Sequence, residues 1–272
     1  MFGMPPAFLS SGSGVAEAVA ILASLKSWWS LDENAASPTY NDSHASNHLT
    51  QRNAGGSVNT SVNSTATAKH GRAWNANHTD NLTCYIPRSN TNLDALDSDF
   101  SFGGWFKSNI DPATAAFLMG RVGGTTTKID AYLFAENDGS IQFAISTDGS
   151  IGARIIASSG RAADPTNFDL IVGVYDKTNN AIRCKHFDSN TGLTVGTTSL
   201  GGASLFTGSN SSNFCVSEGL DNDANFFASN RGAVVIADEA FYINKALTDA
   251  EMTYLYNSGA GKSYADLVAD AT

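Results

Sequence analysis

The sequence predicts an all-β fold, a two-sheet antiparallel jelly-roll sandwich carrying a short C-terminal helix and an N-terminal arm and helix. Short apolar stretches recur from Ser27 onward, many alternating with period two. Between them stand "ENDGS", "STDGS", "DKTNN" and "DSNTG", hairpin-type turns rich in residues that tolerate positive φ. Charged residues make up only 15% of the 272 positions. That is below the roughly 25% of ordinary soluble domains, and Gly, Ser, Thr and Asn take their place. The 42% hydrophobic content is enough for one large core, and sandwiches of roughly 200–250 residues commonly form one unit.

Residues 1–26 read as an arm and short helix, and 27–272 as the sandwich domain. The arm, "MFGMPPAFLSSGSG", combines prolines and a Ser/Gly cluster with Phe2, Phe8 and Leu9. Val15 to Leu25 is expected to be helical, with Ser13 as cap and Val15, Val19 and Leu22 on one apolar face. Such a face needs cover, either from its own domain or from a partner subunit. The strand candidates follow: "SWWSL", "LTCYIP", "DFSFGGWFKS", "AAFLMGRV", "SIQFAIST", "GARIIAS", "FDLIVGVYD", "AIRCKHFD" and "GAVVIADEAFYI". The clearest hairpin is "FDLIVGVYDKTNNAIRCKHFD", with a polar Thr-Asn-Asn tip. Near the end the period changes to helical in "LTDAEMTYLYNSG". Thr248 and Glu251 form a capping box, Leu247 and Met252 a hydrophobic staple, and Gly259 is placed to stop the helix in the left-handed conformation.

Directly after that helix, "GAGKS" (259–263) has the look of a phosphate-binding loop. A true loop needs a glycine five positions before Gly261, where Tyr256 stands, and a strand upstream, where a helix is expected. Spacing and context both fail. The 16 Lys and Arg are scattered and the net charge is −10, which leaves no footprint for nucleic acid. The apolar run "VAEAVAILASL" is interrupted by Glu17 and is too short to span a bilayer, so neither a membrane span nor a secretion signal is expected. Cys84, Cys184 and Cys215 form no CxxC pair and read as small buried hydrophobes in a reducing compartment.

Catalytic patterns are missing. There is no Gly-x-Ser-x-Gly elbow. Asp238 and Glu239 are adjacent, so a regular strand would point them to opposite faces. Asp97 and Asp99 belong to a turn, and His44 with His48 lies in a segment unsuited to a helix. "GLDNDANFF" starts like a calcium loop with Asp221, Asp223 and Asn225, but Phe226 occupies the required glycine position. An enzyme is therefore not expected, and a glycoside hydrolase is a remote alternative.

Several segments resemble the laminin-G-like, concanavalin A-like jelly-roll domains found in bacteriophage structural proteins. They are "SWWSLDENAASPTYNDSHASNHLT", "FSFGGWFKS", the 168–188 hairpin and the closing "ADEAFYINKALTDAEMTYLYNSGAGKSY". Ala237 stands where the family usually has Ile, and Phe168 where it often has Trp. The resemblance implies a binding or scaffold module in a virion, assembled in the host cytoplasm. Most specifically it implies a capsid decoration or cement protein, or a tail or fibre component. Docking would use the arm and helix through Phe2, Phe8, Leu9, Val15, Val19 and Leu22, with other virion proteins as partners and a homo-oligomer as a further arrangement. No cofactor is required. Some relatives bind calcium at the rim, which carries over to Asp42, Asn47 and Asp238; the alternative is that Asp42 and Asn47 satisfy turn backbone while Asp238 pins a strand. The other functional expectation is a lectin-like module binding cell-surface glycan, with Tyr40, Trp74 and Phe226 as candidate stacking rings.

Overall fold

A computed structural model describes residues 13–33, 39–52, 64–65, 67–76, 83–87, 90–93, 97–109, 116–122, 129–136, 138–207, 213–216, 220–221, 225–226 and 234–272. Helix α1 (Ser13–Ser24) leads into β1 (Leu25–Trp29), β2 (Thr39–Tyr40), β3 (Leu49–Arg52), β4 (Ser64–Thr65), β5 (Ala73–Ala76) and β6 (Thr83–Ile86). The long central strands are β7 (Phe100–Asn109), β8 (Ala116–Val122), β9 (Ile129–Ala135), β10 (Ser140–Ser146), β11 (Arg154–Ala162), β12 (Asp169–Asp176), β13 (Ala181–Asp188) and β14 (Gly192–Ser199). Then come β15 (Asn213–Val216), β16 (Leu220–Asp221), β17 (Asn225–Phe226) and β18 (Val234–Ile243), followed by α2 (Asp249–Tyr256) and α3 (Tyr264–Asp270).

Two antiparallel sheets result. One runs β14-β13-β12-β7-β18-β5-β4 with β1 added on β18; the other runs β11-β10-β9-β8-β15-β6-β3-β2. Between them lies the main core, in which Phe102 packs against Phe143, Phe214 and Tyr242. The alternation of a strand divides neighbouring tryptophans: Trp29 enters this core, while Trp28 faces outward with Trp105, Val172 and Val174. That outer face is covered by the three helices through Ala18, Ile21, Met252, Leu255 and Leu267. No helix among the described residues is long and apolar enough to cross a membrane.

The N-terminal helix meets the domain differently from expectation. Its buried face is Ala18 and Ile21, with Leu22 partly buried, whereas Val15 and Val19 are 49% and 46% exposed. The apolar stripe was assigned one position off because an Ala/Val/Ile-rich helix is apolar nearly all round. Phe2, Phe8 and Leu9 lie outside the described residues.

At the other end the capping box forms as the sequence predicts, with Leu247 and Met252 buried. The helix stops earlier than Gly259, at Asn257 (φ 48°), and Ser258 (φ 53°) and Gly259 (φ 87°) extend the left-handed turn. A further helix then follows. Ser263 of the GAGKS string caps α3, accepting from the Asp266 N–H while the Asp266 carboxylate accepts from the Ser263 N–H. Lys262 is not a solvated charge: it pairs with Asp270 at 2.8 Å and lies over the Tyr254 ring.

Candidate functional site

The distinctive chemistry gathers where β18 passes under the C-terminal turn. Val235 and Ala237 face the inter-sheet core, but so do Ala240 and Tyr242, so the alternation slips by one residue. The slip is a β-bulge between Asp238 and Phe241, with Glu239 at φ 46°. Gly104 of the facing strand makes room for it; a Cβ there would sit 2.9 Å from Ala240 Cα and 3.2 Å from the Asp238 and Glu239 carbonyls. The bulge overturns the expectation that Asp238 and Glu239 point to opposite faces. Both turn to the helix-covered side and are buried, at 0% and 2% exposure.

Asp238 Oδ2 accepts from the Lys69 and His70 N–H groups at 2.7 and 2.8 Å, while Oδ1 has no partner. Glu239 accepts from the Trp28 indole N–H. Burial pushes the Asp238 carboxyl up to about 7 despite the two amides. Burial likewise pushes Glu239 up to about 8, with the Asp238 and Asp32 charges adding to it. Among the described residues no cation is ion-paired with either carboxyl. Lys69 Nζ donates to the Gly259 carbonyl and lies 4.1 Å from the Trp105 ring centroid, and burial lowers its pKa. The His70 Nε2 is buried without a partner, and burial lowers that ring's pKa too. Gly261 (φ 84°) closes the cluster; a Cβ there would lie 2.9 Å from His70 Nε2 and 3.1 Å from Trp105.

Beside this cluster opens a groove of about 360 Å³ whose lining includes Lys69, Thr166, Asn167, Phe168, Ser189, Tyr256 and Gly259. Tyr256 is fixed by stacking on Phe187 and Trp105. Phe168 is half-buried, and Thr166, Asn167 and Ser189 are exposed. Asp164 shapes the 164–167 loop, accepting from the Thr166 and Asn167 N–H groups and the Asn167 side chain.

The other predicted site residues are placed elsewhere. Tyr40 and Trp74 are core residues, 2% and 0% exposed, and both donate to Gln51 Oε1. They cannot stack on a sugar, because β2 and β5 carry them into the sandwich. Phe226 falls on β17, its side chain outside the described residues. Asp221 and Asn225 pair across a small β16–β17 hairpin. Asp42 and Asn47 share one turn: the Asp42 carboxylate accepts from the N–H groups of Trp28, His44, Ala45 and Asn47. Asn47 is held by Ser27, Asn90 and Asn92. Asp238 belongs to the separate set above, so the three do not form one calcium cage. Among the described residues no cluster of His, Cys, Asp or Glu is arranged to hold a metal ion. All three cysteines are buried, and none is in a disulfide.

One arrangement escaped sequence reasoning because its members come from three strands. Ser159 Oγ lies 3.4 Å from His186 Nδ1, and His186 Nε2 lies 2.9 Å from Asp169. It bridges the sheets at their β11–β13 edge and has no use as a nucleophilic triad. Ser159 is 6% exposed and its hydroxyl also contacts the Ile141 and Arg161 carbonyls. Asp97 and Asp99 brace the β12–β13 hairpin through Tyr175, Lys177 and Thr178.

Fold and groove together define a β-sandwich of the jelly-roll type with a polar, aromatic-floored rim. No protein-family model matches the chain, and no curated protein sequence matches it. Solved structures do share its fold. The binding domain of Botulinum Neurotoxin DC in complex with SialylT is 11% identical, with a TM-score of 0.58 over 87% of this chain and 52% of that one. The binding domain of Paraclostridial Mosquitocidal Protein 1 is 11% identical, TM-score 0.59, over 87% and 53%. A structure titled for the dependence of botulinum neurotoxin type C cell entry on two ganglioside molecules is 10% identical, TM-score 0.56, over 87% and 52%. The chain thus spans about half the length of these neighbours, and the likeness is one of fold.

Proposed function

We propose that this chain is a non-catalytic, lectin-like module that binds cell-surface glycan in the groove between the 164–168 loop and the C-terminal turn. The observation that carries this is the lining: a half-buried Phe168 ring beside exposed Thr166, Asn167 and Ser189. Sugar sites combine an aromatic face for the C–H side of a pyranose with amides and hydroxyls for its polar rim. Support also comes from the fold neighbours, which are binding domains, one in complex with SialylT and one titled for ganglioside interaction. Hydrolysis by Asp238 and Glu239 is disfavoured because that pair is buried beyond reach of a sugar ring. The test is a glycan array followed by calorimetry on the best hit. Phe168→Ala and Asn167→Ala should each weaken binding about tenfold, the loss of roughly 1.4 kcal/mol of contact, with EDTA changing nothing. A wild-type chain that binds no glycan on the array would overturn the reading.

A second reading is a virion structural role, as a capsid decoration or cement protein or a tail or fibre component, made in the host cytoplasm and docked through the N-terminal segment. It draws on Val15 and Val19, exposed beside a groove of about 620 Å³ between α1 and the C-terminal helices. Val15→Asp with Val19→Asp should then abolish particle association while sparing the glycan groove. Unchanged association would remove this reading.

A further inference from the structure

The Asp238–Glu239 pair has no part in the groove chemistry, yet the backbone is distorted to bring both carboxyls to one buried point. A bulge with a left-handed Glu239 and a facing Gly104 serves that placement. What faces the pair from the surrounding elements is poorly suited to two negative charges. After β1 comes Asp32, a third carboxylate, which accepts from the Arg72 N–H. From the turn before β5 come Lys69 and His70, whose backbone amides reach Asp238 while the ammonium is turned to Gly259 and the ring nitrogen is left unpaired. From the C-terminal side come the Tyr264 backbone, hydrogen-bonded to Glu239, and Asp266, near His70. Lys262 is drawn away to Asp270. Asp238 Oδ1, fully buried with no partner, is where a carboxylic acid proton fits and a bare carboxylate oxygen is costly.

The C-terminal turn packs on Lys69 and His70, whose amides hold Asp238. Gly259 is tied down by Lys69, and Gly261 packs on His70, Lys69 and Trp105. We propose that Asp238 and Glu239 form a proton-dependent latch: while both carboxyls hold their protons the 257–263 turn stays seated, and their ionisation unseats it together with the groove wall at Gly259. Mildly alkaline solution is then the opening condition, since the two carboxyls titrate at about 7 and about 8. The latch stands whether or not the groove holds a sugar.

The test is hydrogen exchange of the full chain at pH 6 and pH 9, corrected for the intrinsic pH dependence of amide exchange. Amides of 257–270 should lose at least tenfold in protection at pH 9, while those of β12 and β13 keep theirs. In the Asp238→Asn, Glu239→Gln variant, neutral at both pH values and still able to accept from Trp28, the difference should vanish. Equal protection at both pH values in the wild type, or the same loss in the variant, overturns the latch. Infrared spectroscopy of the wild type gives a readout independent of the variant's folding: a protonated-carboxyl band must be present at pH 6 and gone at pH 9. Its absence at pH 6 equally overturns the proposal.

Discussion

Asp42 accepts four backbone N–H groups from the residues around it, so its carboxylate is spent on the turn that starts the sandwich. Asp42→Ala leaves those donors without an acceptor in a site that is 7% exposed. A buried donor left unmade costs about 1–3 kcal/mol, so the substitution should lower stability by about 3 kcal/mol in a urea melt. Calcium or EDTA should leave the wild-type midpoint unmoved; a calcium-dependent rise would return Asp42 to the role of ligand. Gly261 is constrained in a different way. Its φ of 84° and its approach to His70, Lys69 and Trp105 leave no room for a side chain. Gly261→Ala should cost about 1–3 kcal/mol from backbone strain, again by urea melt. That string was legible as a false phosphate loop, but its actual role depends on a helix, α3, that the sequence reading did not assign.

The C-terminal helices are short and depend on their ends. Thr248 and Ser263 each close a capping box, and each replacement by Ala should cost about 1 kcal/mol. Because α2 contributes Met252, Leu255 and Tyr256 to the layer over the sheet, Thr248→Ala should also loosen the groove floor. Faster hydrogen exchange across 249–256 would register it. The first box was readable because Thr, Glu and the flanking Leu and Met stand at fixed offsets; the second, on a seven-residue helix, is too short for an apolar period to develop. The same contrast holds among strands. β12 and its hairpin with β13 were plain because every residue of β12 is buried, giving an unbroken apolar run. β14, an edge strand with three of its eight residues exposed and none buried, carries a sequence of Gly, Thr and Ser that looks like loop. The bulge in β18 was invisible in principle: period-two reasoning assumes the register that a bulge breaks, so the convergence of Asp238 and Glu239 needed the structure. The groove is assembled from loops far apart in sequence, and of its lining the sequence singles out Phe168, Tyr256 and Gly259, each for another reason.

At the scale of the molecule, the two sheets bury a continuous aromatic core and the helices seal one outer face, so the buried ionisable groups report on folding as a whole. They act in opposite directions with pH. Asp176 and Asp266 are held below their usual range: for Asp176 the hydrogen bonds from Asn179 and Arg183 outweigh its burial, and for Asp266 the Ser263 N–H and hydroxyl dominate. Their contribution is present above the unfolded carboxyl pKa near 3.8 and is lost as pH falls through their lower folded values. Asp238 and Glu239 behave oppositely. Raised from 3.8 to about 7 and from 4.5 to about 8, they keep protons in the folded state that the unfolded chain has already released. Stability from this pair is therefore full below about pH 4 and declines as pH rises toward about 8, with a limiting slope of about 1.4 kcal/mol per pH unit for each proton. The two sets together place the maximum in acidic solution, near pH 4 on this bookkeeping, with decline on both sides. Urea melts from pH 3 to 9 would map it. Replacing the pair by Asn and Gln should flatten the alkaline side and leave the acid side as it was. If the wild type gained stability steadily from pH 5 to 8, the buried pair could not be carrying protons in the folded chain.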